Sequence, residues 1–528
     1  MLRKRKGGVK KLLAVVLALL LVLPLVWMPA PAEASVADGI YAFGNNREGQ
    51  LGLGDRTGRN SPVRIAGLDN VKEVASGNGF SLVLLYNGDV YSFGSHVDGK
   101  LGLGELPGAV QGRPDTWIVN TPTKITGIGA VKTIAAGVYH ALLVLENGDV
   151  YAFGQGTMGK LGLGDTEHRY RPTKIPGLSG AVAVAAGHTH SLVLLGNGDV
   201  YGFGSHNAGQ LGLGRGDNAY NTPQKIPLPG RAKDIAAGGS HSLVALQNGD
   251  VYAFGYNRYG ELGVNEPPRA NKFESPMKVL VPGPAQAVAT GNSFSLVLLE
   301  NGDLYSFGQG DSGQLGHGNT EHTWPPAKVE ALSGVSLIAA GYAHTLAVRE
   351  NGDVYAFGRN TNGQLGQGDT TARSTPTRVD TLRGNNALAI GAGHSQSLVV
   401  VGMPPITVRI DGRLLVTDVP PIIVQGRTMV PLRAIFEALD IDVVYDSATR
   451  QITGTKGGTT IQLTVDSTRT LVNGVEGTLD VPATVMEGRT LVPVRFIAES
   501  TGQDVDWEPR TRTVIIETSV EHDDISPG

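Results

Sequence analysis

The sequence predicts a mainly β protein: a seven-bladed β-propeller closed by its N- and C-terminal strands, followed by a small duplicated α+β domain. Three observations carry this. A Tyr-x-Phe-Gly block recurs seven times at a spacing near 50 residues, with its Phe at Phe43, Phe93, Phe153, Phe203, Phe254, Phe307 and Phe357. Six Asn-Gly-Asp tripeptides join short apolar runs, starting at Asn87, Asn147, Asn197, Asn248, Asn301 and Asn351. Beyond residue 405 a new self-similarity appears at an offset of 62 residues.

The N-terminus precedes the repeats. Residues 1–11 carry Arg3, Lys4, Arg5, Lys6, Lys10 and Lys11, an apolar run follows from Leu12 to Met28, and Ala32-Glu33-Ala34 precedes Ser35. A basic start, an apolar centre and a small-x-small site make a secretory signal peptide over residues 1–34, cleaved between Ala34 and Ser35. The alternative for this segment is an uncleaved anchor; no later segment is apolar enough to span a bilayer. Cleavage removes six bases and one acid, taking the net charge from −4 to −9. An acidic chain is a poor partner for nucleic acid, whose binding rests on neutralising phosphates. With 41% hydrophobic residues the chain can fill a large core, and with no cysteine it has neither disulfides nor thiolate metal sites.

The repeats define one unit. Six residues past each Phe lies a Gly (Gly49, Gly99, Gly159, Gly209, Gly260, Gly313, Gly363), opening a G-Q-L-G, G-K-L-G or G-E-L-G loop. A second block, Gly-x-x-x-(Ser/Ala/Thr)-Leu, starts at Gly77, Gly137, Gly187, Gly238, Gly291, Gly341 and Gly393. Asn-Gly between two β-type runs signals a hairpin, read here as a type I′ turn with positive φ at both central residues. Pro-x-x-Ile or Pro-x-x-Val runs starting at Pro122, Pro172, Pro223 and Pro376 lead to the next strands. Units of about 50 residues with about four short strands make propeller blades. The first unit starts at Ile40-Tyr41-Ala42-Phe43 without its Gly-x-x-x-Ser-Leu strand, and the last such strand, Ser397–Val400, has no hairpin after it. Pairing residues 397–401 antiparallel to residues 39–44 would close the ring.

Residues 187–192 (G-H-T-H-S-L), 197–204 (N-G-D-V-Y-G-F-G) and 209–214 (G-Q-L-G-L-G) resemble the repeats of the regulator of chromosome condensation family. The resemblance covers about residues 37–401 and implies a seven-bladed propeller. The family's eukaryotic founder is a nucleotide-exchange factor on chromatin. An exported acidic chain is expected to meet no small GTPase and no chromatin, and secreted proteins of this pattern are binders, including inhibitors of β-lactamases.

Gly402-Met403-Pro404-Pro405 reads as a stiff linker. After it, residues 426–437 (G-R-T-M-V-P-L-R-A-I-F-E) match residues 488–499 (G-R-T-L-V-P-V-R-F-I-A-E). Each copy predicts one helix, about 431–440 and 493–502, opening at Pro431 and Pro493. Residues 460–465 and 513–516 alternate as strands. The doubled G-R-T-x-V-P-x-R resembles the copper amine oxidase N-terminal-like domain over residues 406–517, which implies an accessory, stalk-like element found in exported proteins of Gram-positive bacteria. Residues 406–517 contain no histidine, so no copper site of imidazoles and no other cofactor is expected. The last residues, about 518–528, read as an acidic tail.

Candidate chemistry is sparse. The position two residues before the repeated Leu holds His140, His190, His241 and His344, but Phe80, Phe294 and Gln396 in the other units. A position that accepts Phe is a packing position. His188 and His190 would share a strand face, a weak candidate for a metal because two ligands fall short of the usual three or four. The glycine loops lack a phosphate-binding order, and a sixfold repeated Asp is not an active site. No catalytic residue is assigned. The better pointers are irregularities. One unit is ten residues longer through Leu106 to Trp117, offering Arg113, Asp115 and Trp117, residue types favoured at interfaces. A second irregularity, Asn265 to Phe273, lies near Tyr256, Arg258 and Tyr259. The expected function is non-enzymatic recognition of an extracellular protein or cell-wall glycan, secreted or at the cell envelope. The alternatives are a propeller enzyme acting on polysaccharide and a secreted inhibitor of an extracellular enzyme.

Overall fold

The computed structural model describes residues 39–518, apart from 111, 269–271, 404–405, 418, 487 and 509–511. The expected signal peptide, the two prolines of the linker and nearly all of the tail lie outside the described residues. No helix among the described residues is long and apolar enough to cross a membrane.

Residues 39–401 form seven four-stranded antiparallel sheets. In the first complete blade the strands run, from the axis outward, Val71–Ser76, Phe80–Leu85, Val90–Ser95 and Ile118–Lys124. Five further blades follow in sequence order. The seventh takes its two inner strands, Ala387–Ala392 and Gln396–Val401, from the end of the repeat region and its two outer strands, Gly39–Gly44 and Arg59–Arg64, from the start. Residues 39–44 lie antiparallel to residues 396–401, from Gly39 opposite Val401 to Gly44 opposite Gln396. The closure is therefore the one the unpaired end units predict.

The sevenfold Phe and the glycine loops are one device. The second Gly of each Gly-x-Leu-Gly lies against the Phe ring of the next blade: a methyl group built on Gly52 would sit 2.9 Å from Phe93, and one on Gly366 would sit 3.0 Å from Phe43 across the closing seam. Every repeated Phe is fully buried. The apolar clusters accordingly straddle blade boundaries, as in Ile40, Leu51, Val74, Val83, Phe93 and Leu398. Burying a large side chain fully is worth roughly 1.5–3 kcal/mol, so the repeat pattern is the pattern of inter-blade contacts.

One turn differs from expectation. The Asn-Gly-Asp hairpins have positive φ at the Gly alone, for example +84° at Gly88, and Asn87 is not left-handed. Gly88 N–H donates to Leu85 O at 3.0 Å and Leu85 N–H to Asp89 O at 2.9 Å. This is a longer hairpin with a left-handed Gly after the turn rather than type I′. Asn87 is held by its own side chain, whose Oδ1 accepts from Asp89 N–H at 2.9 Å.

In the C-terminal region helices α1 (Leu432–Ala438) and α2 (Val494–Ser500) follow directly on Pro431 and Pro493. Each is shorter than the sequence predicts, because Asp440 and Gly502 turn left-handed and end it. The two copies are interlaced. Thr407–Ile410 of the first copy pairs parallel with Thr513–Glu517 of the second, and Arg427–Pro431 pairs antiparallel with Arg489–Pro493. One core, including Val408, Ile435, Phe436, Ile452, Val492, Ile497 and Val514, serves both copies.

Candidate functional site

The axis is built from the repeated glycines. A methyl group on Gly77 would lie 2.4 Å from Gly137 O, one on Gly187 2.5 Å from Gly238 O, and so around the ring to Gly393, 2.8 Å from Gly77 O. Only a residue without Cβ permits this approach. The residue after each Gly then reaches the next blade. The amides of Val138, His188, Gly239, Tyr342 and His394 donate to the carbonyls of Gly187, Gly238, Gly291, Gly393 and Gly77 at 3.1–3.3 Å.

Those second positions, Asn78, Val138, His188, Gly239, Asn292, Tyr342 and His394, vary from blade to blade, and all but Gly239 line an axial cavity of about 80 Å³. His188 and Tyr342 face each other across it, rings 6.1 Å apart and nearly parallel at 10°. Tyr342 and His394 lie 4.3 Å apart. Burial, then the charges of His394 and Lys160, hold His188 down to about 4, and burial lowers His394. Both rings are neutral hydrogen-bonding groups at neutral pH.

Beneath this ring the buried histidines pair across blades. The Nε2 atoms of His140, His190, His241 and His344 lie 2.8–3.0 Å from the hydroxyls of Ser191, Ser242, Ser295 and Ser397. Each hydroxyl already donates to a loop carbonyl, Lys160, Gln210, Glu261 or Gln364 respectively. The imidazole must therefore donate through Nε2, which fixes the tautomer. Phe takes the same position at Phe80, where the facing residue of the next blade is Ala141, and at Phe294, where it is Thr345, whose hydroxyl donates to Gln314 O at 2.8 Å without an imidazole. His188 and His190 do not share a strand face as the alternation predicts. His188 lies in the turn before the strand and lines the cavity, while His190 opens the strand His190–Leu195 and is committed to Ser242. Among the described residues no group of three His, Cys, Asp or Glu is placed to hold a metal ion.

In an antiparallel blade the turn between the first two strands and the loop between the last two emerge on one face. This face gathers the unrepeated polar chemistry. The loop position held by Gln50, Gln210, Gln314 and Gln364 is Lys100 and Lys160 in two adjacent blades and Glu261 in a third. Lys100 Nζ donates to Asn78 O at 3.1 Å and lies 6.0 Å from the Tyr139 ring. Lys160 Nζ donates to Gln155 Oε1 at 2.6 Å and lies 5.6 Å from the same ring. Burial pushes Lys160 down to about 8. Tyr139 is 39% exposed and Met158 52% exposed. Met158 is left-handed, φ +62°, a conformation that costs an L-residue roughly 1–2 kcal/mol.

The opposite face carries the repeated acids. Asp89, Asp149, Asp199, Asp250 and Asp303 pair with Lys124, Lys174, Lys225, Lys278 and Lys328 at 2.7–2.8 Å. These acids tie each hairpin to the outermost strand of its own blade.

The sequence-derived candidates separate into two groups. Arg113 and Asp115 are exposed on the long loop of the first complete blade. Trp117 is half-buried: its indole N–H donates to Val110 O at 3.0 Å, and its ring lies 6.1 Å from His96 and 6.0 Å from Tyr170. It holds the loop together rather than standing free. Tyr256, Arg258 and Tyr259 belong to a loop three blades away, where Arg258 covers the Tyr259 ring at 5.3 Å and Tyr259 meets His322 at 4.7 Å. The structure does not bring the two groups together. Tyr139, Met158, Lys100 and Lys160 escape the sequence reading. The signal for the lysines is the change from G-Q-L-G to G-K-L-G in two successive units.

The model described as "Regulator of chromosome condensation (RCC1) repeat" matches residues 38–84, 87–144 and 147–194, and "RCC1-like domain" matches residues 181–399. "Copper amine oxidase N-terminal domain" matches residues 409–516. The ultraviolet-B receptor UVR8 of Arabidopsis thaliana is 32% identical over 314 residues, 58% of each chain. The human E3 ubiquitin-protein ligase HERC2 is 33% identical over 312 residues, 57% of this chain and 5% of the ligase. The match thus covers less than two thirds of either relative. Among solved structures, Prp20p of Saccharomyces cerevisiae, described with its binding to Gsp1p and histones, aligns at TM-score 0.62 and 25% identity, covering 70% of this chain and 92% of that one. Human WBSCR16 aligns at TM-score 0.61 and 22% identity, covering 69% of this chain and all of that one.

Proposed function

Since this chain belongs to the regulator of chromosome condensation repeat family, with a copper amine oxidase N-terminal domain behind its propeller, we propose that it is an exported, non-enzymatic binding protein. Its ligand is a protein or glycan at the bacterial envelope or in the medium, and its recognition surface is the face of inner turns and glycine loops. One observation carries this reading. Two adjacent blades replace the repeated Gln by Lys100 and Lys160, and both lysines flank the exposed Tyr139, with Met158 held in a strained backbone beside Lys160. The left-handed turn itself belongs to the loop, since Asp98 shares it at φ +60° in the other blade where Lys replaces Gln; what the turn presents is the exposed Met158 beside Tyr139, and interfaces favour such aromatic and methionine contacts.

Lys100 and Lys160 are themselves buried, 7% and 1% exposed, so the surface offered to a partner is the exposed Tyr139 and Met158 that they support. Prp20p, which has a similar propeller, is a protein binder by its description, and this supports protein rather than glycan as the ligand. The signal segment, which would keep the chain away from a small GTPase and from nucleic acid, makes the partner an extracellular one. No imidazole copper site is proposed in the C-terminal domain, as residues 406–517 have no histidine.

The test is affinity capture from envelope and medium fractions with the mature protein, its Tyr139→Asp and Met158→Asp variants, and Asp149→Asn on the opposite face as control. Species held by the wild type and by Asp149→Asn but lost by the other two variants are the expected outcome. Capture indifferent to both face variants sinks the proposal. A polysaccharide-acting enzyme would need the His188–Tyr342–His394 cluster, but that cavity, about 80 Å³, is well below the roughly 300–1,000 Å³ of ordinary ligand pockets. Turnover of wall polysaccharide abolished by His188→Ala would reinstate the enzyme.

A further inference from the structure

A cavity of about 590 Å³ lies in the C-terminal domain. It is a groove between α2, the Asp504–Glu508 strand and the turn joining Ile422–Val424 to Arg427–Pro431. Its volume falls within the roughly 300–1,000 Å³ range of pockets for small ligands.

The lining is not that of a leftover packing defect. Phe496 and Trp507 are half-buried, packed against the core on one side and open to the groove on the other. The indole N–H of Trp507 has no partner among the described residues. Around these two rings stand planar hydrogen-bonding groups of both signs. Arg427 Nε donates to Asp480 at 2.7 Å, Arg495 lies 3.7 Å from Glu499, and Asp506 is exposed beside Trp507. The charges nearly balance, so the groove has no net pull on a polyanion.

The duplication isolates what is special here. At the offset of 62 residues, the first copy keeps Arg433 for Arg495 and Glu437 for Glu499, but has Ala434 for Phe496, Val444 for Asp506 and Tyr445 for Trp507. An aromatic ring at the strand position is common to both copies, but the second ring, Phe496, and the acid, Asp506, are built in one copy only. Two packed copies of the same motif do not require that difference.

The geometry points to a saccharide-binding groove, taking a neutral oligosaccharide whose sugar face stacks on Trp507 and Phe496 while its hydroxyls exchange hydrogen bonds with Asp506, Arg495, Asp480 and the free indole N–H. A stacked apolar ring face combined with fixed planar donors and acceptors suits a ligand that is apolar on its faces and polyhydroxylated at its edge. This site is separate from the propeller face, and its test does not involve that face.

The experiment titrates the full mature chain with N-acetylglucosamine hexamer, and in parallel with cellohexaose and an uncharged twelve-residue peptide, following heat of binding and tryptophan emission. Saturable binding of a hexasaccharide is expected, weakened at least tenfold in Phe496→Ala and in Asp506→Ala, and largely kept in Trp507→Phe with loss of the emission change. Arg433→Ala, at the matching place in the first copy, should bind like wild type, and circular dichroism checks that each variant is folded. No binding of either hexasaccharide at millimolar concentration, binding of the peptide alone, or saccharide binding unchanged in folded Phe496→Ala and Asp506→Ala overturns the assignment.

Discussion

His190 Nε2 lies 2.8 Å from Ser242 Oγ, across a blade boundary, with both residues fully buried. Ser242 in turn donates to Gln210 O at 2.8 Å. The chain runs imidazole to hydroxyl to loop carbonyl, so one hydrogen-bonded relay ties two neighbouring blades and a glycine loop.

Removing one member should cost more than replacing both. The first complete blade already shows the apolar alternative, Phe80 facing Ala141. His190→Phe and Ser242→Ala are each expected to destabilise by about 1–3 kcal/mol, since a buried polar group loses its partner. The double variant should fall short of the sum by roughly 0.5–3 kcal/mol, the usual coupling for residues in contact. Chemical denaturation of the four proteins measures this, and strict additivity would mean the pair is not coupled.

The same histidines make stability depend on pH. Burial holds His190, His241 and His344 down to about 3, against about 6.5 in an unfolded chain. Below pH 6.5 the unfolded state binds more protons, so their contribution is intact above 6.5 and is lost as pH falls toward 3. Each contributes a slope of up to about 1.4 kcal/mol per pH unit in that window. Unfolding free energies at pH 7.5, 6.5 and 5.5 should decline, and the decline should be shallower in His190→Phe.

Glu261 works in the opposite direction. Burial pushes its carboxyl up to about 7, so its contribution is present below about 4.5 and is lost as pH rises through 7. Gln fills this position in four other repeats, and its amide oxygen makes the same bond: Gln50 Oε1 accepts from Glu48 N–H at 2.9 Å, as Glu261 Oε2 does from Tyr259 N–H at 2.7 Å. Glu261→Gln should therefore raise stability at pH 8 by about 1–3 kcal/mol and change it little at pH 5. Equal effects at both values would show that the carboxyl is not titrating.

The axial glycines are predicted to be intolerant. A methyl group on Gly238 would meet His241 at 2.5 Å and Gly291 O at 2.7 Å, whereas one on Gly129 would meet only Leu145 at 3.7 Å. Gly238→Ala should lose about 1–3 kcal/mol, and Gly129→Ala should be neutral or slightly stabilising. Thermal melts of the two variants compare them directly.

Seven phased copies of Phe, Gly and Leu, and two ends each lacking half a unit, determine the blade number and the seam between residues 39–44 and 396–401. Those residues make the repeated contacts from one blade to the next, so any sequence that keeps them in phase encodes the ring. The doubled G-R-T-x-V-P-x-R likewise announces two copies, each with a helix after its Pro. What the sequence could not decide lies at contacts without a period. Trp117 reads as a free anchor, yet Val110, His96 and Tyr170 close around it. His188 and His190 are neighbours in sequence, yet the start of a strand between them sends one to the axis and the other to Ser242. Tyr139, Lys100 and Lys160 come from three separate loops, and the groove at Trp507 needs a turn from the other copy. Those meetings are set by where adjacent blades and interlaced strands bring remote backbone together, which is information held by the packed chain and by no local stretch of it.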